Sequence, residues 1–267
     1  MAKKIVITSG KGGVGKTTVT ANLGYALADL GFRVLLVDID FGLNNLDVVM
    51  GIENRVVFDI LDVLNGKCRL KQALIQDKLR KNLYILPSNS VGATSSITGQ
   101  NLKVILDSLS SVFDYIILDC PAGIDVGFHR AVSCANEAYV VTTPNLTCIR
   151  DADKVLSILE SYKLDYVGLI VNKVRGDLVL NNQMMSAKNV SAILKTELLG
   201  ILPEEDAVFL SIGYGLPKRS DSFKAYKTLA NNITLKKRKI FNTEKKYSGF
   251  FGAIKRSIKK SIWKKMN

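Results

Sequence analysis

The sequence predicts an α/β fold, a mainly parallel twisted sheet flanked by helices, with an amphipathic helix at the C-terminal end. Three observations predict it. Short apolar and β-branched runs recur at Ile5 to Ile7, Arg33 to Asp38, Leu83 to Leu86, Tyr115 to Asp119, Ala138 to Thr143, Tyr166 to Asn172 and Leu199 to Leu202. Helix-length segments lie between them, among them Thr18 to Gly31, Leu102 to Val112, Asp151 to Tyr162 and Ser186 to Leu198. A glycine-rich loop, Ser9 to Thr18 (SGKGGVGKTT), joins the first run to the first helical segment. Strands alternating with helices pair in parallel through right-handed crossovers. Runs with no polar alternation suit strands covered on both faces.

In the loop, Gly10, Gly15, Lys16 and Thr17 satisfy the phosphate-loop spacing G-x-x-x-x-G-K-[ST] in the strand-then-helix context that it needs. Glycines at 10, 12, 13 and 15 free the backbone so that successive N–H groups, those of Val14 and Thr18 among them, can turn inward around a polyphosphate. Lys16 adds a point charge, the Thr17 hydroxyl can ligate Mg²⁺, and the helix opening near Lys16 aims its positive end at the same anion. Lys11 is a second lysine that the spacing does not require. The helix that follows carries Val19, Leu23, Ala26, Leu27 and Leu30 on one face, and Gly31 closes it.

Two of the strands end in aspartates, at Asp38-Ile39-Asp40 and at Asp119-Cys120-Pro121-Ala122-Gly123. A single aspartate after a strand is usually a turn or cap residue. Three of them, Asp38, Asp40 and Asp119, beside a complete phosphate loop point instead to a hard cation and its waters. The sixth strand ends in Asn172-Lys173, where guanine-selective sites continue N-K-x-D; here the last position is Arg175, which cannot accept a hydrogen bond from guanine. Adenine is therefore preferred, framed by Asn172 and the Leu202-Pro203-Glu204 turn.

With these residues in place, the chain resembles the deviant-Walker-A ATPases of the MinD and ParA group. KGGVGKTT with the added Lys11, VLLVDIDFGLNNLDVVMG and ILDCPAGID carry the resemblance, and LNNLDVVMG with LPEEDAV favours the MinD branch. The resemblance implies a homodimer with ATP and Mg²⁺ sandwiched between subunits, Lys11 crossing to the partner's phosphates, Asp40 orienting the attacking water, and Thr17, Asp38 and Asp119 as the metal set, Thr17 directly and the two acids through waters. It implies Lys11, Lys16 and Asp40 as catalytic residues and Gly123 as the start of a γ-phosphate-sensing loop. Asn45, Arg150 and Asp151 match interface positions. It further implies a division-site ATPase that cycles on and off a membrane, with a MinE-like regulator and a MinC-like inhibitor. The other reading within the group is a ParA-like DNA-partition ATPase. YGLPKRSDS, after Gly213, replaces a more acidic loop of the usual bacterial pattern.

The 267 residues carry a net charge of +13, but the charge is not evenly spread. Positions 236 to 267 hold twelve Lys or Arg against the single acid Glu244, while the remainder has 25 bases and 23 acids. We read 1–235 as the ATPase domain, 236–249 as a basic and polar linker, and 250–267 as an amphipathic membrane-targeting helix. On a helical projection Phe250, Phe251, Ile254, Ile258 and Ile262 form a stripe about 120° wide, with Trp263 at its side and lysines opposite. Large aromatics opposite Lys and Arg suit an anionic membrane surface, with the helix lying flat rather than spanning. Nucleic acid is the weaker partner for this tail, since a solvated basic arm has no use for an apolar stripe.

Other chemistries are excluded. His129 is the sole histidine, so no His-based triad can be built. Cys68, Cys120, Cys134 and Cys148 contain no C-x-x-C pair, which argues against zinc or iron–sulfur sites. The first strand begins almost at Met1, leaving no room for a targeting peptide. The location expected is the cytoplasm or plastid stroma, at the inner face of a membrane.

Overall fold

The computed structural model describes residues 1–41, 43, 45–88, 97–250, 252–254 and 257. Eight strands form one sheet in the order β3-β4-β2-β5-β1-β6-β7-β8. They are β1 (Lys3–Thr8), β2 (Val34–Asp38), β3 (Ile75–Gln76), β4 (Leu83–Leu86), β5 (Tyr115–Asp119), β6 (Glu137–Thr142), β7 (Tyr166–Val174) and β8 (Leu198–Pro203). All pairings are parallel except that of the two-residue edge strand β3 with β4. The sequence predicts every strand but β3, to within two residues at each end. β3 has no apolar run of its own and exists only through its pairing with β4.

Alternation along the strands builds two cores. Ile5 and Ile7 of β1 point to a layer with α1 (Lys16–Asp29) and α11 (Asp221–Leu235), which pack on each other and on β8. Val6 points to the opposite layer, formed by α5 (Gly99–Ser108), α6 (Val126–Val132), α7 (Leu146–Leu159) and α9 (Ala187–Leu194). Because both faces are covered, β1, β2 and β5 are buried almost throughout and tolerate no polar alternation. Gly24 lets α1 lie close to the sheet, since a Cβ there would fall 2.7 Å from Leu36. α7 starts five residues earlier than the apolar spacing suggests, because the Asn145 side chain accepts from the Thr147 backbone N–H and caps it there.

The chain order places the site. From β1 the chain moves one way through β2 to β4, returns to β5, and crosses to β6 on the other side of β1. The direction of winding reverses at β1, and a cleft opens there at the strands' carboxyl ends.

The stretch expected to be a polar linker is instead fastened to the body. α11 ends at Leu235, where the sequence analysis places the end of the ATPase domain, with Lys236 in the left-handed conformation. Asn232 then staples the following strand of chain: its amide donates to the Leu199 and Lys239 carbonyls and its oxygen accepts from the Lys239 N–H. Arg238 pairs with Glu197 at 3.0 Å, and Lys246 with Asp221 at 2.8 Å. Thr243 and Tyr247 are buried. The carbonyl of Thr243 presses on Gly176, at the start of α8 (Gly176–Leu180), where a Cβ would fall 2.0 Å away. Charge and polarity suggest a free linker, but Arg238 and Lys246 each meet an acid on the body, and Thr243 and Tyr247 pack against it. Gly176→Ala should therefore dislodge this segment and open the backbone after Lys239, Lys245 and Lys246 to trypsin at low protease concentration. Unchanged cleavage would show that the packing is not tight.

A helix opens at Gly249 and exposes Phe250 and Ile254. Phe251, Ile258, Ile262 and Trp263 of the expected amphipathic stripe lie outside the described residues. Among the described residues, no helix is long and apolar enough to cross a membrane.

Candidate functional site

The phosphate loop leaves β1 at the centre of the sheet and enters α1 at Lys16. Gly13 and Gly15 have φ of 79° and 96°, the left-handed region that a side chain resists. A Cβ at Gly15 would fall 2.5 Å from the Asn172 amide, and one at Gly10 would fall 2.1 Å from the Asp151 carbonyl of α7. A Cβ at Gly12 or Gly13 would meet nothing within 4 Å, because these residues face the open cleft. The cleft encloses about 770 Å³. Gly12, Gly13, Gly15, Lys16, Thr17, Thr18, Asp40, Asn172 and Pro203 line it, all of them named from the sequence.

Parallel pairing of β2 with β5 sets Asp38 directly beside Asp119, next to Ile7 of β1. Both carboxyl groups are buried. Asp38 accepts the backbone N–H of Asp40 at 2.9 Å and that of Leu46 at 3.4 Å, so it anchors the loop that carries Asp40. Asp119 accepts from the Thr20 hydroxyl at 3.1 Å and from the Thr17 hydroxyl. Burial pushes the Asp119 carboxyl up to about 6, against the pull of Thr17 and Lys16. Burial and the Asp119 charge push Asp38 well above the usual carboxylate range. Two buried carboxylates behind a threonine hydroxyl suit a hard cation held through waters. Among the described residues no three His, Cys, Asp or Glu side chains converge on a metal by themselves. That agrees with a cation whose other ligands are the Thr17 oxygen, phosphate oxygens and water.

Without a cation these acids work against folding. A carboxyl raised in the folded state contributes stability that is full below its ordinary range and is lost as pH rises through about 6. Asp119→Asn should therefore raise the melting temperature of the nucleotide-free protein at pH 8 by several degrees, since a two-unit shift corresponds to about 3 kcal/mol. The gain should shrink toward pH 5. A gain independent of pH would remove the carboxylate from the argument.

Asn172 has a second task that its position at a strand end does not reveal. Its amide donates to the Val14 carbonyl at 2.8 Å, bracing the loop from below while it lines the cleft. Lys173, in the left-handed region at φ 55°, donates to the Gly13 carbonyl at 2.8 Å. Arg175, which stands where a guanine-selecting carboxylate would be, is tied by two hydrogen bonds to Asp177. The far wall of the cleft comes from Asn22 and Tyr25 of α1, Leu43, Val49 of α2 (Leu46–Met50), and Glu204 to Asp206, Val208, Phe209, Ser211 and Ile212. Apart from Glu204, which belongs to the turn expected to frame the base, sequence reasoning missed these residues because none belongs to a spaced motif; they meet through the packing of α1, α2 and β8.

Lys11 does not line its own cleft. Its ammonium reaches sideways to the Thr147 hydroxyl at 3.1 Å, into a smaller hollow between the phosphate loop and the start of α7. Asn45, Arg150 and Asp151 lie on exposed or half-exposed ground near the cleft mouth, and Asp151 pairs with Lys154. The N–H of Gly123, at φ 90°, donates to the Ser9 carbonyl, so the loop after β5 is latched to the phosphate loop. His129 lies on α6 and bonds the Tyr162 hydroxyl, away from the cleft. The four cysteines are free.

A phosphate loop on the central strand of a parallel sheet, with two strand-terminal acids beside it, defines a P-loop nucleotide-binding protein. Residues 5–218 match the CobQ/CobB/MinD/ParA nucleotide binding domain. The putative septum site-determining protein MinD of Guillardia theta is 50% identical over 217 residues, which cover 81% of each chain. MinD in the MinC:MinD complex of Aquifex aeolicus superposes with a TM-score of 0.80 at 41% identity, covering 87% of this chain and 96% of that one. MinD of Pyrococcus horikoshii, complexed with Mg-ADP, gives 0.77 at 32%, covering 88% and 96%. The chain belongs to the MinD family.

Proposed function

We propose that this chain is a Mg²⁺-dependent ATPase that dimerises on ATP, binds an anionic membrane peripherally and helps position the division site of a cell or plastid. The observation that carries the reading is the division of labour between two lysines of one loop: Lys16 is buried at the cleft and Lys11 is exposed and aimed outside it. A cation aimed away from its own cleft is placed to serve a nucleotide bound to a second copy. The MinD relatives make division-site placement the natural task, and the Mg-ADP bound to one of them supports the same ligands here.

In this reading the loop N–H groups and Lys16 grip the β- and γ-phosphates, with the start of α1 behind them. Thr17 holds Mg²⁺ directly, and Asp38 and Asp119 hold its waters; the ion supplies charge neutralisation on the phosphoryl group. Asp40 faces the cleft within range of the Lys16 charge and orients the attacking water. Asn172 and Pro203 frame the adenine. A MinC-like inhibitor is a supported partner type, since the Aquifex relative is in complex with MinC. A MinE-like regulator rests on family resemblance.

Membrane binding follows from the amphipathic tail, of which Phe250 and Ile254 are exposed. One short helix binds weakly, and two on an ATP-held dimer gain from effective concentration. Sedimentation with anionic vesicles should be strong with ATP and weak with ADP; equal binding would remove the cycle. The ParA-like reading predicts instead that deleting residues 251–267 weakens binding to duplex DNA.

A further inference from the structure

Beside the cleft, the short helix α10 (Asp206–Leu210) and the turn after it present four large apolar side chains to solvent. Phe209, Leu210 and Tyr214 are 77%, 78% and 74% exposed and Ile212 is 43% exposed; Phe209 and Ile212 also line the cleft, whereas Leu210 and Tyr214 do not. α10 contributes no buried residue, so this stretch is not held out by a core beneath it. Four such side chains within six positions are far beyond the scattered exposed leucine that any surface carries. Exposed Lys218 and Arg219 follow immediately. Aromatic and aliphatic side chains flanked by bases are the composition that settles at a lipid headgroup boundary.

We propose that this tip, Phe209 to Arg219, is a second membrane-contact element that inserts beside the amphipathic tail. The proposal rests on the peripheral-membrane reading above and adds a contact that the reading does not contain. Continuity with the tail supports it. Glu205, just before α10, accepts the Ser222 N–H at 2.8 Å at the start of α11. Asp221, next to Ser222, holds Lys246, and the tail helix opens three residues after Lys246. The tip and the root of the tail are thus fastened to the same helix end, on the carboxyl-end side of the sheet. Lys218 and Arg219 match an anionic surface in sign, whereas an apolar protein partner would have no need of them.

The test uses the full chain with ATP and Mg²⁺, vesicles of phosphatidylglycerol and vesicles of phosphatidylcholine. Leu210→Ser with Tyr214→Ser changes two residues that do not line the cleft, and should weaken phosphatidylglycerol binding about tenfold while ATP-dependent dimerisation is unchanged. As a direct reporter, Leu210→Trp in a Trp263→Phe background should shift its emission to the blue on these vesicles and be quenched by brominated lipid. Vesicle binding with no quenching, or a double variant that binds as the parent does, overturns the proposal. Loss of dimerisation in the double variant also overturns it and assigns the tip to the contact between subunits. If the unmodified chain fails to sediment with either lipid, the membrane reading itself falls, a result distinct from an unquenched but bound chain.

Discussion

Lys11→Ala should leave a folded monomer that still binds Mg-ATP but neither dimerises on it nor hydrolyses it at more than a trace. Lys11 makes one side-chain hydrogen bond, to Thr147 on the surface, so its loss costs little stability. Its absence from the wall of its own cleft leaves Lys16 and the loop amides to bind nucleotide unaided. A charge supplied across an interface to a phosphoryl group in transfer is worth on the order of 10³ to 10⁵ in rate. Nucleotide affinity by fluorescent-analogue titration, mass by light scattering with ATP, and phosphate release together check this. A variant that dimerises normally would reassign Lys11 to a role within its own subunit. Loss of nucleotide binding as well would mean that the lysine turns inward when ATP arrives.

Asp40→Ala should have the opposite signature. Hydrolysis should fall by about 10² to 10⁴, the range for a positioned acid–base or water-orienting group, while the ATP dimer forms and persists. Asp40 lines the cleft, is half-buried, and has its carboxyl raised by burial against the opposing Lys16 charge. Its backbone N–H bonds Asp38, and alanine preserves that bond, so the loop keeps its place. The two variants therefore separate the two steps: one fails to assemble, the other assembles and stalls. Vesicle sedimentation should follow, with Lys11→Ala bound weakly in all states and Asp40→Ala bound even after long incubation with ATP. If Asp40→Ala hydrolyses ATP at the parent rate, another group orients the water.

The candidate site was largely legible because its parts are contiguous or sit at strand ends. Gly10 to Thr18 is one uninterrupted stretch, and the physical need for φ above zero at Gly13 and Gly15 is written in the residue type. Asp38, Asp40 and Asp119 could be read from their places after buried runs. What escaped was contact between elements far apart in sequence. Asn172 looked like a residue for the base, and only the packing of β7 under the loop shows it holding the Val14 carbonyl. Tyr25, Val208, Phe209, Ser211 and Ile212 carry no spacing signal, and they reach the cleft only because α1 and the chain after β8 bring them there. The segment after Leu235 misled for the same reason. Its composition is that of a solvated linker, yet Asn232 and Asp221 of α11, Gly176 of α8 and Glu197 just before β8 together form a surface that fits it.

By itself, then, the sequence determined the α/β class, the phosphate loop, the acids at the ends of β2 and β5 and the argument from Arg175 against guanine, and it sets the expectation of an amphipathic tail. Each of these depends on local residue type and spacing, which are fixed before the chain folds. Tertiary structure alone decided that Asp38 and Asp119 stand side by side, that the root of the tail is fastened to α11, and that Lys11 reaches to Thr147 outside its own cleft. Those are outcomes of register, crossover direction and packing, in which residues 160 positions apart, as Gly13 and Lys173 are, become neighbours.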